Sequence, residues 1–149
     1  TTPMQGAMPI LGEAHHRGPV ILVWDVVKKE TRHPEHGHNV VYHEFAHKLD
    51  MLDGSADGTP LLTTPEEYQR WVEVCSKEYL ELCKKVEQGK PTFFDSYAAT
   101  DEAEFFAVVT EHFFCKPENM KHYYPKLYQV LQNFYRQDPA EKVFTNPLP

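Results

Sequence analysis

The chain has 149 residues, a formal net charge of −7, 41% hydrophobic and 13% aromatic residues. That length and apolar content suit one domain with a real core. The acidic balance and the lack of a basic run argue against nucleic acid or an anionic membrane surface as partner. No stretch approaches the ~20 apolar residues of a transmembrane helix. No basic-then-apolar segment opens the sequence, and Cys75, Cys83 and Cys115 are odd in number with no C-x-x-C spacing. Both features predict a cytoplasmic protein with reduced thiols.

Taken in chain order, residues 1–8 read as a loose tail and Pro9 to Ala14 as a weak strand. Pro19 to Val27 is β-branched and nearly continuous, which predicts a strand buried on both faces. Lys28 to Gly37 is a charged loop holding Pro34. A helix is expected from about His38 to Leu52. Gly54 to Pro60 is a loop. Thr64, Pro65 and Glu67 spell a helix start, with Thr64 as N-cap, Pro65 in the first helical position and Glu67 closing a capping box. Tyr68, Trp71, Val72, Cys75, Tyr79, Leu82, Cys83 and Val86 then mark one face of a long helix, ended by Gly89 and Pro91. Asp101 opens a helix over Glu102 to Phe114. A last helical stretch covers Pro117 to Arg136, interrupted near Pro125, and residues 140–149 read as a second tail. One short sheet and about four helices make a single α+β domain dominated by helix.

The chemistry sits in the first of these helices. His43-Glu44-Phe45-Ala46-His47 is an H-E-x-x-H pentapeptide. In a chain with 9 His, composition alone would produce it only about 0.05 times. On a helix, residues four apart share a face. Both imidazoles can therefore reach one tetrahedral Zn²⁺, while Glu44 leans toward the open position as general base on a metal-activated water. Val41, Phe45 and Leu49 continue the apolar periodicity around the motif. Lys48 is unexpected, because the position after the second His is usually uncharged in zinc peptidases.

A catalytic zinc site wants a third protein ligand, and three residues compete for the place. Glu104 opens a separate helix among Ala103, Phe105, Phe106 and Ala107, where an unpaired carboxylate is costly. Asp53 lies ten residues after His43, as in the short-spaced layout, but Asp50 occupies the position where that layout breaks the helix with Gly. Glu111 shares a helix face with Glu104 and better suits a residue that orients a ligand. Asp53 to Gly58 mimics the start of a calcium loop, yet Thr64 stands where a bidentate Glu is needed. His33, His36 and His38 read as solvated loop residues, and His15 and His16 as loop residues before the main strand. His112 and His122 read as helix-surface or core residues.

His43 to Asp50, Asp95 to Asp101 and Glu104 to Val108 together resemble the MtfA family of zinc peptidases. Arg17 to Leu22 and Phe134 to Pro139 fit as well, so the resemblance covers roughly residues 9–139 and makes Lys48 ordinary. It implies a zincin-like fold related to the catalytic domain of anthrax lethal factor. It carries the metal ligands, for one Zn²⁺ per chain, onto His43, His47 and Glu104, and the general base onto Glu44. It marks Tyr97 as a catalytic phenol able to donate to an oxyanion. It also implies a longer N-terminal portion, so this chain is expected to be either a minimal form or a catalytic fragment.

The expectation is thus a zinc metallopeptidase acting on a peptide or protein, with Asp50 and Glu111 supporting the ligands from behind. The substrate would add as a strand along Ile10 to His16. A regulatory protein partner is linked to enterobacterial members of the family. The rival reading is a non-catalytic, zinc-containing regulatory or protein-binding module. Glu44 and Tyr97 contribute nothing to such a site, which would also want a fourth ligand.

Overall fold

The strand-rich opening folds as a short hairpin in a computed structural model that describes residues 11–141. Pro9 and Ile10 of the expected first strand, and the expected tails apart from residues 140 and 141, lie outside the described residues. Strands β1 (Gly12–Ala14) and β2 (Val20–Leu22) pair antiparallel, with Glu13 opposite Ile21. The expected strand through Val27 ends at Leu22, and helix α1 (Trp24–Arg32) follows at once. Charge explains the change. Asp25 sits in the first turn, Lys29 and Arg32 in the last, and Asp25 pairs with Lys28 at 2.9 Å, all favourable to the helix dipole. Burial on both faces also fails, since Ile21 and Trp24 are 49% and 68% exposed.

A 3-10 turn (Pro34–His36) leads to α2 (Val40–Asp50), which carries the pentapeptide. Its N-cap is Asn39, whose side chain accepts from the N–H groups of Val41 and Tyr42 at 3.0 and 3.1 Å. A second 3-10 turn (Met51–Asp53) closes α2. Helix α3 (Pro65–Glu87) begins as expected, with Thr64 accepting from the Glu67 N–H at 3.1 Å. The Glu67 carboxylate reaches one residue further back than the capping box implies, to the Thr63 N–H at 2.9 Å. Most of the expected face of α3 packs inward, with Cys75, Tyr79 and Val86 against the core, and only its edge differs. Trp71, Val74 and Leu82 are buried, whereas Tyr68 and Val72 are exposed. A third 3-10 turn (Ser96–Ala99) precedes α4 (Glu102–Cys115), α5 (Pro117–Tyr123) and α6 (Pro125–Tyr135). Among the described residues, six α-helices therefore replace the expected four. Helix α1 is new, and Pro117 and Pro125 each start a helix of their own because proline suits a first turn and not an interior.

The core is built around α4. Phe105 to Phe113 are buried without interruption, so this helix is covered all round, as an apolar helix must be. Trp71 meets Phe106 and Phe134 edge to face at 5.4 and 5.7 Å. Beyond α6 the chain remains fastened, since the Ala140 N–H donates to the Tyr128 hydroxyl at 3.0 Å. No helix among the described residues is long and apolar enough to cross a membrane.

Gly58 ties three helices together. Its N–H donates to Asp50 Oδ2 at the end of α2, and its carbonyl accepts from Trp71 Nε1 of α3. A Cβ there would lie 2.3 Å from the Glu102 carbonyl oxygen that opens α4, and φ is +77°. Gly58→Ala is therefore expected to destabilise by more than about 2 kcal/mol, from strained backbone and steric displacement together. Chemical denaturation would measure it, and an unchanged midpoint would mean that the loop yields without moving the helices.

Candidate metal centre

The pentapeptide lies on the α2 face that packs against α4. His43 Nε2 is 2.9 Å from Glu104 Oε2 and 3.2 Å from His47 Nε2, and His47 Nε2 is 3.4 Å from Glu104 Oε2. Two imidazole nitrogens and one carboxylate oxygen thus converge from two helices, and all are part-buried. Local chemistry on each helix makes this possible. The i, i+4 spacing brings the two rings together edge to face, with centroids 4.8 Å apart. Asp101 accepts from the Glu104 N–H at 2.8 Å as N-cap of α4, so Glu104 occupies the first turn and its side chain extends back toward α2.

Glu111 fixes how His43 presents itself. Its Oε2 lies 2.9 Å from His43 Nδ1, while Oε1 accepts from the Asn39 N–H at 2.8 Å. A carboxylate only accepts, so Nδ1 carries the hydrogen and a neutral ring aims a bare Nε2 lone pair at Glu104. Lone pairs facing one another in a part-buried space repel unless a cation lies among them. Two states satisfy the geometry: a metal ion shared by the three groups, or a proton on His43 Nε2. The donor set therefore fits a divalent metal, with His43 held by an outer carboxylate in the manner of metal-ligating histidines. Burial alone would push the His43 imidazolium down. Hydrogen bonds to Glu104 and Glu111 outweigh it and hold the ring's pKa above the usual value. Burial would likewise push Glu104 up, but hydrogen bonds from His43 and His47 hold it below the usual carboxylate range.

Glu44 is buried beside this group. Burial raises its carboxyl pKa, and the charges of His43 and His47 oppose the rise. Tyr97 stands at the rim, 46% exposed, with its ring 6.2 Å from that of His43. Burial and the neighbouring Glu104 charge push its phenol up to about 12. Asp95 sets the turn that carries it, accepting from the Tyr97 N–H at 2.8 Å.

Other sequence candidates lie elsewhere. Asp53 is exposed and accepts from the Ser55 N–H at 2.9 Å, and Asp57 accepts from the Thr59 N–H at 3.0 Å. Both acids of the calcium-like segment are thus engaged in local turns. Asp50 is fully buried. Its Oδ2 holds Gly58, and Oδ1 has no hydrogen-bond partner among the described residues. Asp50 therefore holds the Gly58 loop and makes no hydrogen bond to His47 among the described residues. His33, Glu35 and His36 form a second convergence of donors, but on an exposed 3-10 turn.

Sequence reasoning missed Glu30, whose Oε2 accepts from the Val40 N–H at 2.6 Å and ties α1 to the start of α2. It lies in a segment read as loop, and nothing in its local pattern signals that contact.

A family model described as glucose-regulated metallo-peptidase M90 matches residues 2–136. The chain belongs to the M90 family. The M90 relatives include an uncharacterised protein of Synechocystis sp., 44% identical over 129 residues, which are 86% of this chain and 47% of that protein. Proteins named Mlc titration factor A from Klebsiella pneumoniae and Serratia proteamaculans are both 35% identical, covering 92% and 89% of this chain and 52% and 50% of their own lengths. The chain spans about half the length of the curated relatives it matches. The resemblance to MtfA read from the sequence is the same family. M90 membership implies a metal ion, and the donor groups that could hold one are those described above.

Proposed function

We propose that this chain is the catalytic region of a zinc-dependent peptidase that hydrolyses peptide bonds. The observation that carries the reading is the meeting of His43 Nε2, His47 Nε2 and Glu104 Oε2 with the buried Glu44 beside them. Two imidazoles and one carboxylate are a common catalytic donor set for Zn²⁺ that leaves a coordination position open. When bound there, one Zn²⁺ per chain supplies the Lewis acidity that makes a water acidic near pH ~7 and polarises a carbonyl.

The chain's own residues do the rest. Glu44 accepts the proton of the attacking water and later gives it to the leaving amine. Buried beside the donor cluster, it is placed for both halves of that task. The Tyr97 hydroxyl donates to the oxyanion that forms on the substrate carbonyl. Glu111 keeps His43 in the tautomer that exposes Nε2. Asp50 supports the His47 end of α2 through Gly58. An extended peptide would add along β1, within the Ile10 to His16 segment.

The relatives' printed name favours a second role, contact with a regulatory protein, and the same chain can carry both. Three free thiols suit a cytoplasmic setting. Zinc content by elemental analysis, together with cleavage of a peptide library, tests the main reading. A zinc-loaded protein that cleaves nothing would leave only the partner-binding role.

Tyr97→Phe separates rim from metal. It should lower kcat by about 10²–10³-fold with zinc content unchanged, the usual cost of one oxyanion donor. Because the ring is half exposed and only the hydroxyl is lost, the melting temperature should stay constant. A kcat equal to wild type would make Tyr97 a wall residue.

A further inference from the structure

We propose that Lys48 is a positioning residue that clamps the β1–β2 hairpin onto α2 and so holds Gly12 against the Glu44 side chain. The inference rests on the hydrolytic role given to Glu44 above. Lys48 is half-buried and its ammonium donates to three carbonyls of one turn: His15, Gly18 at 2.9 Å and His16 at 3.4 Å. An ammonium has three hydrogens to give, and here each has a neutral acceptor in the same loop. The turn's own bonds are long, Gly18 N–H to His15 and His15 N–H to Pro19 both at 3.3 Å. The turn is therefore closed mainly from below, by α2.

Glu44 and Lys48 are four residues apart and share one face of α2. The hairpin lies along that face and touches it at both points. Above Glu44 the strand can carry no side chain. A Cβ on Gly12 would lie 2.8 Å from Glu44 Cγ, 2.9 Å from Glu44 Oε1 and 2.9 Å from Val40 Cγ2. The backbone of β1 is the wall against which the Glu44 side chain stands. A two-stranded hairpin of three residue pairs is marginal by itself, so the height of that wall depends on what anchors the turn. The lysine that looked misplaced in the motif acquires a reason: it sets the far end of the lever whose near end rests on Glu44.

The test compares Lys48→Met, Lys48→Arg and Gly12→Ala in the zinc-loaded chain, by zinc content, hydrogen exchange and steady-state hydrolysis. In Lys48→Met the hairpin amides, including Val23 N–H that bonds Leu11, should exchange about tenfold faster or more. Zinc content should not change. kcat should fall about 10- to 100-fold, as expected when a reacting group is misplaced by about 1 Å. Lys48→Arg, which keeps charge and donors, should recover most of both. Gly12→Ala should lower the melting temperature, and should lower it less in a Glu44→Ala background, where the side chain it strikes is gone. Hairpin exchange in Lys48→Met equal to wild type would overturn the clamp. Faster exchange with unchanged kcat would overturn the positioning role. If the wild-type chain hydrolyses no peptide, the peptidase reading fails separately. Exchange and the Gly12–Glu44 coupling then still decide the contact, and additive melting shifts would refute it.

Discussion

Glu44→Gln is expected to keep zinc and fold and to lose hydrolysis by about 10²–10⁴-fold. Glu44 is not among the three groups whose donor atoms converge, so its replacement leaves the metal's ligands in place. Gln nearly matches Glu in shape, and the close fit under Gly12 leaves room for little else. What changes is proton affinity, because an amide does not accept the water's proton. Stability should not fall. In the metal-free chain burial is the main cause of Glu44's raised pKa, so there the ionised carboxylate is an unfavourable guest and a neutral amide removes that penalty. Single-turnover cleavage with zinc content and melting temperature measured in parallel checks all three points. Near-normal turnover in a zinc-loaded Glu44→Gln protein would sink the mechanism.

Glu104→Ala is the second large effect. Removing the carboxylate takes the α4 contribution from the cluster and leaves two imidazoles on one helix. Zinc affinity should drop by more than the 10- to 100-fold typical of losing an outer-shell partner. Three variants rank the roles in one titration. Glu104→Ala should lose most, and Glu111→Gln should lose about 10- to 100-fold because it disturbs the His43 Nδ1 contact. Asp53→Ala should lose nothing, since Asp53 serves only its own turn. Isothermal titration of the apo chain with zinc gives the order directly. If Asp53→Ala lost more than Glu104→Ala, the ligand set proposed above would be wrong.

What could be read from the sequence was what depends on local chemistry. Thr64 with Pro65, Asp101 before Glu102, and Gly89 after α3 marked helix ends correctly, because caps act within a few residues. The i, i+4 histidines were legible for the same reason. The Pro19 to Val27 run was misjudged because β-branched residues favour a strand only where a sheet exists to receive them. Here the hairpin lies at the molecule's edge, and charges at the two ends of Trp24–Arg32 made a helix instead. On α3 the expected face held at Trp71, Cys75, Tyr79, Leu82 and Val86, and only its edge moved, from Tyr68 and Val72 to Val74, because the neighbouring elements decide how far round the helix they cover. Glu30 on Val40, Glu111 on Asn39, and Lys48 on the His15 to Gly18 turn join residues 10, 72 and about 30 positions apart. No local period encodes such links.

Ala46 is the one residue of α2 that joins the contiguous buried apolar cluster among the described residues. Tyr42 of α2 also stacks on Phe114 of α4 at 4.7 Å, and the ties through Glu30, Glu111, Asp50 to Gly58, and Lys48 to the hairpin turn are polar. The α3–α4–α6 side is welded by buried aromatic packing, while the α1–α2–hairpin side is held by polar stitches and one stacked pair at its margin. The consequence is kinetic. An ion shared by α2 and α4 can leave when α2 lifts away locally and the Tyr42–Phe114 stack opens, without the buried aromatic core melting. Exchange of bound zinc with free zinc should then run much faster than global unfolding. It should also lack the tens of kcal/mol of activation enthalpy that unfolding carries. The metal's residence time would report the ties between α2 and α4 rather than the stability of the whole core.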